Sequence, residues 1–198
     1  MKNGVKPSAW IVLPLALFLL FSCASPQKKQ SESRDAKFYN NRGVAYGEKG
    51  QYDQAMSDFN SALEINPMYQ KAYNNRGTTY RLMGQYDRAV SDFNKALEIN
   101  PLSPEAYNNL AWLFATARAP GFHNGKKAVE LARMACELSE WKDPNYLDTL
   151  AAAYARVGDF ENAVKWQEKA LESSKSARKP GLRQRLDFYR EHKPWSEG

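Results

Sequence analysis

The chain has 198 residues, of which 43% are hydrophobic and 25% charged, a balance that suits a packed fold and excludes a disordered tail. Its formal net charge of +6 arises from 28 Lys and Arg against 22 Asp and Glu, scattered along the sequence without a basic block. A dispersed excess of this kind marks a solvated surface and argues against a nucleic-acid partner.

The first element reads as an export signal. Lys2 and Lys6 precede an apolar run of 13 residues, Ala9 to Phe21, which Pro14 interrupts. A spanning helix takes about 20 apolar residues, so residues 1–22 read as a cleavable signal peptide. Leu20-Phe21-Ser22-Cys23 resembles a bacterial lipobox, with an aliphatic residue three places before the cysteine and a small one directly before it. The resemblance implies that the Cys23 thiol receives a diacylglycerol, that the signal is cut just ahead of it and that the new amino group is acylated with a palmitate-type chain. The other reading is an ordinary signal peptide that contains a cysteine. Two or more acyl chains anchor a protein stably on a membrane surface without spanning it. Residues 23–35, polar and holding Pro26, Lys28 and Lys29, read as a flexible tether. Ala24 follows the cysteine in place of Asp, which resembles lipoproteins sent on to the outer membrane where a cell has two. The expected location is therefore the bacterial cell envelope, facing the periplasm. With Cys23 lipidated, Cys136 has no partner for an internal disulfide, and its neighbours Ala132, Ala135 and Leu138 make it a small buried hydrophobe.

Internal repetition then sets the architecture. Residues 36–69 and 70–103 align without gaps and agree at 22 positions. Both carry Tyr-Asn-Asn-Arg-Gly (Tyr39 to Gly43, Tyr73 to Gly77) and Gly-Gln-Tyr-Asp (Gly50 to Asp53, Gly84 to Asp87), and both close on Ala-Leu-Glu-Ile-Asn-Pro. Each unit reads as two helices, the first from near Ala36 to Glu48, the second from Tyr52 to a stop before Pro67. The pattern resembles the tetratricopeptide repeat over about residues 36 to 177. That resemblance implies an all-α fold: a right-handed superhelical array of four helix-turn-helix units with a C-terminal capping helix. Gly43 and Gly77 are placed for close approach to Ala55, Ala62, Ala89 and Ala96, while Tyr39, Tyr46, Phe59, Tyr73, Tyr80 and Phe93 fill the core.

A third unit, residues 104–143, keeps Tyr107, Asn108, Asn109, Ala111 and Phe114, but five residues are inserted before its second helix restarts at Lys126. The inserted loop 118–125 is expected to protrude as a contact site. The fourth unit, residues 144–177, has Gln167 where the first has Phe59. Arg42 and Arg76 are matched by the period with Asp58 and Asp92. In the later units the same two places become Leu110 with Leu131 and Leu150 with Trp166. Because the two positions switch together, they are expected to be partly buried ion pairs exchanged for apolar contact. In the final segment, 178–198, Leu182, Leu186 and Tyr189 share one helical face, a cap for the array, with Trp195 placed to fold back after it.

Catalytic and metal-binding patterns do not emerge. Gly121 to Lys126 has the wrong spacing for a phosphate loop, and His123 and His192 stand far apart without a partner at ligand spacing, so both read as surface residues. The expectation is a non-enzyme with no cofactor, metal or small-molecule substrate. Its resemblance implies a concave groove for a protein or peptide partner, lined by the first helix of each unit. Asn41, Asn75 and Asn109 recur at one position of three units, Thr149 replacing them in the fourth, with Asn40, Asn74 and Asn108 one step round the helix. An asparagine amide matches both the acceptor and the donor of a peptide backbone, so these residues read either as a ladder holding a peptide or as bonds to the adjacent helix. Lys37, Lys71, Arg81 and Trp112 are expected to flank that surface and to favour an acidic, apolar partner. The functional expectation is an envelope scaffold or assembly factor. The alternative is an accessory subunit tethering an envelope enzyme such as a peptidoglycan hydrolase.

Overall fold

The computed structural model describes residues 1, 35–175 and 179–197, so the expected signal peptide, lipidation at Cys23 and nearly all of the tether lie outside the described residues. The chain divides between Ser33 and Arg34 into two units, and the described helices belong to the second. The helices run α1 (Ala36–Glu48), α2 (Tyr52–Ile65), α3 (Gln70–Leu82), α4 (Tyr86–Ile99), α5 (Pro104–Thr116), α6 (Gly125–Leu138), α7 (Pro144–Arg156), α8 (Phe160–Ser173) and α9 (Lys179–Arg190). None among the described residues is long and apolar enough to cross a membrane. Pairs α1/α2, α3/α4, α5/α6 and α7/α8 are the four units, and α9 lies on α8 as the cap. The first helices α1, α3, α5 and α7 touch in sequence along one wall, so the units stack into the right-handed superhelix expected of the sequence.

Local chemistry fixes where the helices begin and turn. Side chains of Asp35, Ser103, Asn124, Asp143 and Asp159 accept from the first-turn N–H groups of α1, α5, α6, α7 and α8, and Pro104 and Pro144 stand where the missing N–H costs nothing. Gly50, Gly84 and Gly158 turn the chain between the two helices of units one, two and four at φ of 72°, 73° and 82°, a region open to glycine. After α2 and α4 the Asn66 and Asn100 carboxamides accept from the N–H of Met68 and Leu102, which closes each Asn-Pro turn.

The close approach of paired helices is set by one exchange. A Cβ on Gly43 would meet the Phe59 ring at 2.7 Å, and one on Gly77 the Phe93 ring at 2.8 Å. Units three and four hold Ala111 with Ala132 and Ala151 with Gln167 at the same places, so the glycine is lost only where the phenylalanine is. Gln167 is fully buried and its Nε2 donates to Asp148 Oδ1 (2.8 Å) and to the Leu182 carbonyl (3.0 Å), tying α7, α8 and α9 together.

The expected ion pairs form. Arg42 grips Asp58 through two bonds of 2.6 Å, and Arg76 grips Asp92 at 2.7 and 2.8 Å. The fork raises each arginine above its ordinary pKa. Leu110, Leu131 and Leu150 are buried at the matching places, and Trp166 stacks on Trp141 at 5.0 Å. Leu182, Leu186 and Tyr189 are buried under the cap, and Cys136 is buried in the core, where loss of solvent pushes its thiol up to about 12.

Two expectations are corrected. The inserted loop does not stand clear of the helices: residues 120–122 form a single 3-10 turn, Phe122 packs on Tyr86 at 5.1 Å, and the Arg118 N–H donates to the Tyr86 hydroxyl. His123, expected at the surface, is half-buried. Its Nε2 lies 2.7 Å from the Ala117 carbonyl, and Nδ1 lies 3.3 Å from the Arg156 guanidinium. His192 is exposed, with its ring edge on Phe160.

Candidate partner groove

The wall made by α3, α5 and α7, closed at one end by α9, holds a cavity of about 620 Å³. Of the residues expected at the groove, Asn74, Arg81, Asn108, Asn109 and Trp112 line it. Lys37, Lys71 and Asn41 are exposed and Asn40 is buried, all four away from the cavity, while Asn75 borders a smaller hollow beside Gly47 and Leu82.

Four of the six asparagines, Asn40, Asn74, Asn75 and Asn109, bond between neighbouring first helices. Asn75 Nδ2 donates to Asn40 Oδ1 at 2.9 Å, and Asn109 Nδ2 donates to Asn74 Oδ1 at 3.1 Å. The helices α3 and α5 are thereby each pinned to the first helix before them. Asn109 also reaches the Thr78 hydroxyl at 3.4 Å. At the junction of units three and four the series stops, because Thr149 replaces the donating asparagine and gives its hydroxyl proton to the Asn145 carbonyl. Asn108 Oδ1 is consequently buried without a hydrogen-bond partner. Asp148, at the register of Asn40, Asn74 and Asn108, turns instead to the cap and accepts from Arg185 Nε (2.7 Å) and Nη2 (2.8 Å).

Sequence reasoning missed Asp148, Arg185, Tyr146, Ser174 and Glu197, all of which line the cavity. Asp148 was findable, since it continues the Asn40 register with an acid. Arg185 had only the polar face of a short helix to announce it, and Glu197 had no periodic signal. Burial pushes the Tyr146 phenol up to about 12, with Glu105 and Asp143 adding to the shift. Ser174 Oγ, like Asn108 Oδ1, is buried without a partner. The lining therefore offers two arginines, each already paired with an acid (Arg81 with Glu197, Arg185 with Asp148), the carboxylates of Glu105 and Asp143, amides, an indole and two unsatisfied polar atoms, a set suited to peptide main chain and polar side chains. Among the described residues no group of three or more His, Cys, Asp and Glu is arranged to hold a metal ion.

Comparison with known proteins gives one consistent result. Models of the tetratricopeptide repeat match residues 36–69 and 71–101, residues 93–129 and residues 145–180. An uncharacterised protein of Methanocaldococcus jannaschii is 41% identical over 39 residues, 20% of this chain and 45% of that relative. The chain therefore spans under half the length of the curated relative it matches. The Cut9–Hcn1 hetero-tetramer of the APC/C superposes with a TM-score of 0.70 at 18% identity, over 80% of this chain and 30% of that one. PilW, a type IV pilus biogenesis factor, superposes with a TM-score of 0.63 at 18% identity, over 79% of this chain and 75% of that one. At such identities the likeness shows the fold alone.

Proposed function

The chain belongs to the tetratricopeptide repeat family, and from that premise we propose that it is a non-catalytic lipoprotein of the bacterial cell envelope that receives a partner protein in the groove of α3, α5 and α7. The fold supports a protein-interaction scaffold. The observation that carries the finer reading is the cavity of about 620 Å³ on the wall of first helices, where Arg81, Trp112, Asn109 and Arg185 meet. Supporting the anchor is the sequence Leu20-Phe21-Ser22-Cys23. The role in envelope assembly takes its support from the PilW likeness and from that anchor.

Two acyl chains would keep the repeats at the membrane surface while leaving the groove open to solvent. Crosslinking in intact cells, followed by affinity purification from membranes, tests the proposal: a discrete envelope protein should be captured by the wild type. Recovery of an envelope hydrolase in fixed proportion would make the chain an enzyme tether instead of an assembly factor. For the anchor, Cys23→Ser should abolish labelling by a fatty-acid analogue and release the protein from membranes. Persistent label on that variant contradicts the lipid assignment.

A further inference from the structure

The segment after α9 returns to the groove and is held there through three consecutive residues. The Glu197 carboxylate pairs with Arg81 and accepts from Trp112 Nε1 at 2.7 Å. The pair is largely buried, with 13% of the Arg81 side chain and 25% of the Glu197 side chain exposed. The Glu197 N–H donates to the Thr116 carbonyl at 3.0 Å. Arg156 Nη2 donates to the Trp195 carbonyl (3.0 Å) and the Ser196 hydroxyl (2.9 Å). The Trp195 ring meets Phe188 edge-on at 5.2 Å, and the Arg185 guanidinium lies over both Trp195 and Trp112.

Main-chain N–H and C=O are thus both read, one acidic side chain is read by two donors, and one aromatic ring is seated. That is how an extended peptide ligand is bound, and the residues that bind it come from units two, three and four and the cap. The carbonyls ending α5 show what the segment satisfies. Those of Leu113, Phe114 and Ala115 are taken by the Ala117 N–H, the Asn124 N–H and Arg156 Nε. The Thr116 carbonyl accepts from Glu197, so without this segment it is left to water or to another N–H. Among the described residues Arg156 has no carboxylate partner, and burial lowers its pKa, so its guanidinium also depends on the carbonyls that it bonds.

Residues 193–197 have no regular secondary structure, and Lys193, Pro194 and Ser196 are exposed. Such a short segment is replaceable by one of the same chemistry. We infer that the pocket of Arg81, Trp112, Thr116 and Arg156 recognises an acidic residue two places after an aromatic one. The chain's own Trp195-Ser196-Glu197 holds this pocket as an intramolecular ligand, and a partner enters by displacing it with a segment of the same kind. The inference rests on the groove reading above and gives it a ligand class and a means of regulation. A partner segment running on past its acid would enter the cavity where Asn108 Oδ1 and Ser174 Oγ lack partners.

The short connection to α9 holds the segment at an effective concentration of about millimolar, which weakens any competitor that must displace it. The test uses a fluorescent peptide with the sequence of residues 191–197, added in trans to the full chain. Glu197→Lys, which sets a cation against Arg81, ejects the segment, and Trp195→Ala/Glu197→Ala does so without new charge. Both variants should bind the peptide at least about 10-fold more tightly than the wild type. Adding Arg81→Ala to either should reverse most of that gain, while circular dichroism reports that each variant is folded. Equal binding by wild type and released variants, absence of binding by both released variants, or binding indifferent to Arg81→Ala overturns the inference. Because the probe is the chain's own segment, such failure leaves the groove proposal to be decided by partner capture. Failure to capture a partner, with the peptide result intact, counts against that proposal alone.

Discussion

At the two places where units one and two are braced by an arginine and an aspartate, units three and four are packed with apolar side chains, although all four are the same helix pair. In the first half Arg42–Asp58 and Arg76–Asp92 join the two helices of a unit, and Asn75–Asn40 and Asn109–Asn74 join successive units. The apolar cluster confined to that half is small, Ala36, Ala62, Leu63 and Ala72 with three tyrosines against them, beside the buried Ala55 and Phe59 of α2. From Tyr86 onward one continuous apolar cluster runs through α9, and leucine or tryptophan fills the places of the ion pairs. The comparison teaches that the repeat specifies a geometry, not a chemistry. A bidentate arginine and a buried leucine both hold the helices at the distance that Gly43 with Phe59, or Ala111 with Ala132, allows. It also explains the position of the groove, since the polar ladder between first helices ends at Thr149 and leaves Asn108 unsatisfied where the cavity opens.

Changes in the apolar half should cost most. Leu150→Ala removes a fully buried side chain and is expected to lower unfolding free energy by about 3 kcal/mol in urea titrations. A loss under about 1 kcal/mol would show that the second half is not held by packing. Next in size is the ion pair of unit two. Asp92→Ala leaves a guanidinium that is 19% exposed without its carboxylate, holding only the Asn60 carboxamide, and should cost about 2 kcal/mol, whereas Arg76→Leu/Asp92→Leu repeats the exchange found in unit three and should stay within about 1 kcal/mol of wild type. Equal losses for the single and double variants would end the equivalence of the two chemistries. Asn75→Ala should cost about 1 kcal/mol by leaving the buried Asn40 carboxamide oxygen unpaired, and no loss would show that the ladder is idle. Smallest is the effect on Cys136: its thiol, pushed up to about 12 by burial, should react with a disulfide reagent at pH 8 only as fast as the C-terminal half unfolds. Rapid labelling of the native protein would place that half among the loosely held regions.

Much of this was legible because repetition supplies its own internal alignment. The joint switch of Arg42 with Asp58 to Leu110 with Leu131 announced a contact, and the contact exists. The cap was legible from Leu182, Leu186 and Tyr189. Where the period fails, so did the reading. The loop of unit three is inserted outside the repeat, and it is tied down by Tyr86 from one neighbouring unit and Arg156 from the other. Glu197 lies 116 residues from Arg81, and nothing local marks either as the other's partner. The asparagines showed their recurrence but not their direction: a donor and acceptor that match a peptide backbone match the next asparagine equally well.

The central claim is that the wall of α3, α5 and α7 receives the partner, and site-specific photocrosslinking in living cells tests it most directly. A photoreactive residue would replace Asn109 or Asn145, which line the cavity, and in separate cells exposed Glu130 on α6, outside it. The account predicts a discrete crosslinked product from the two cavity positions and none from Glu130. The same product from Glu130, with none from Asn109 and Asn145, would contradict it.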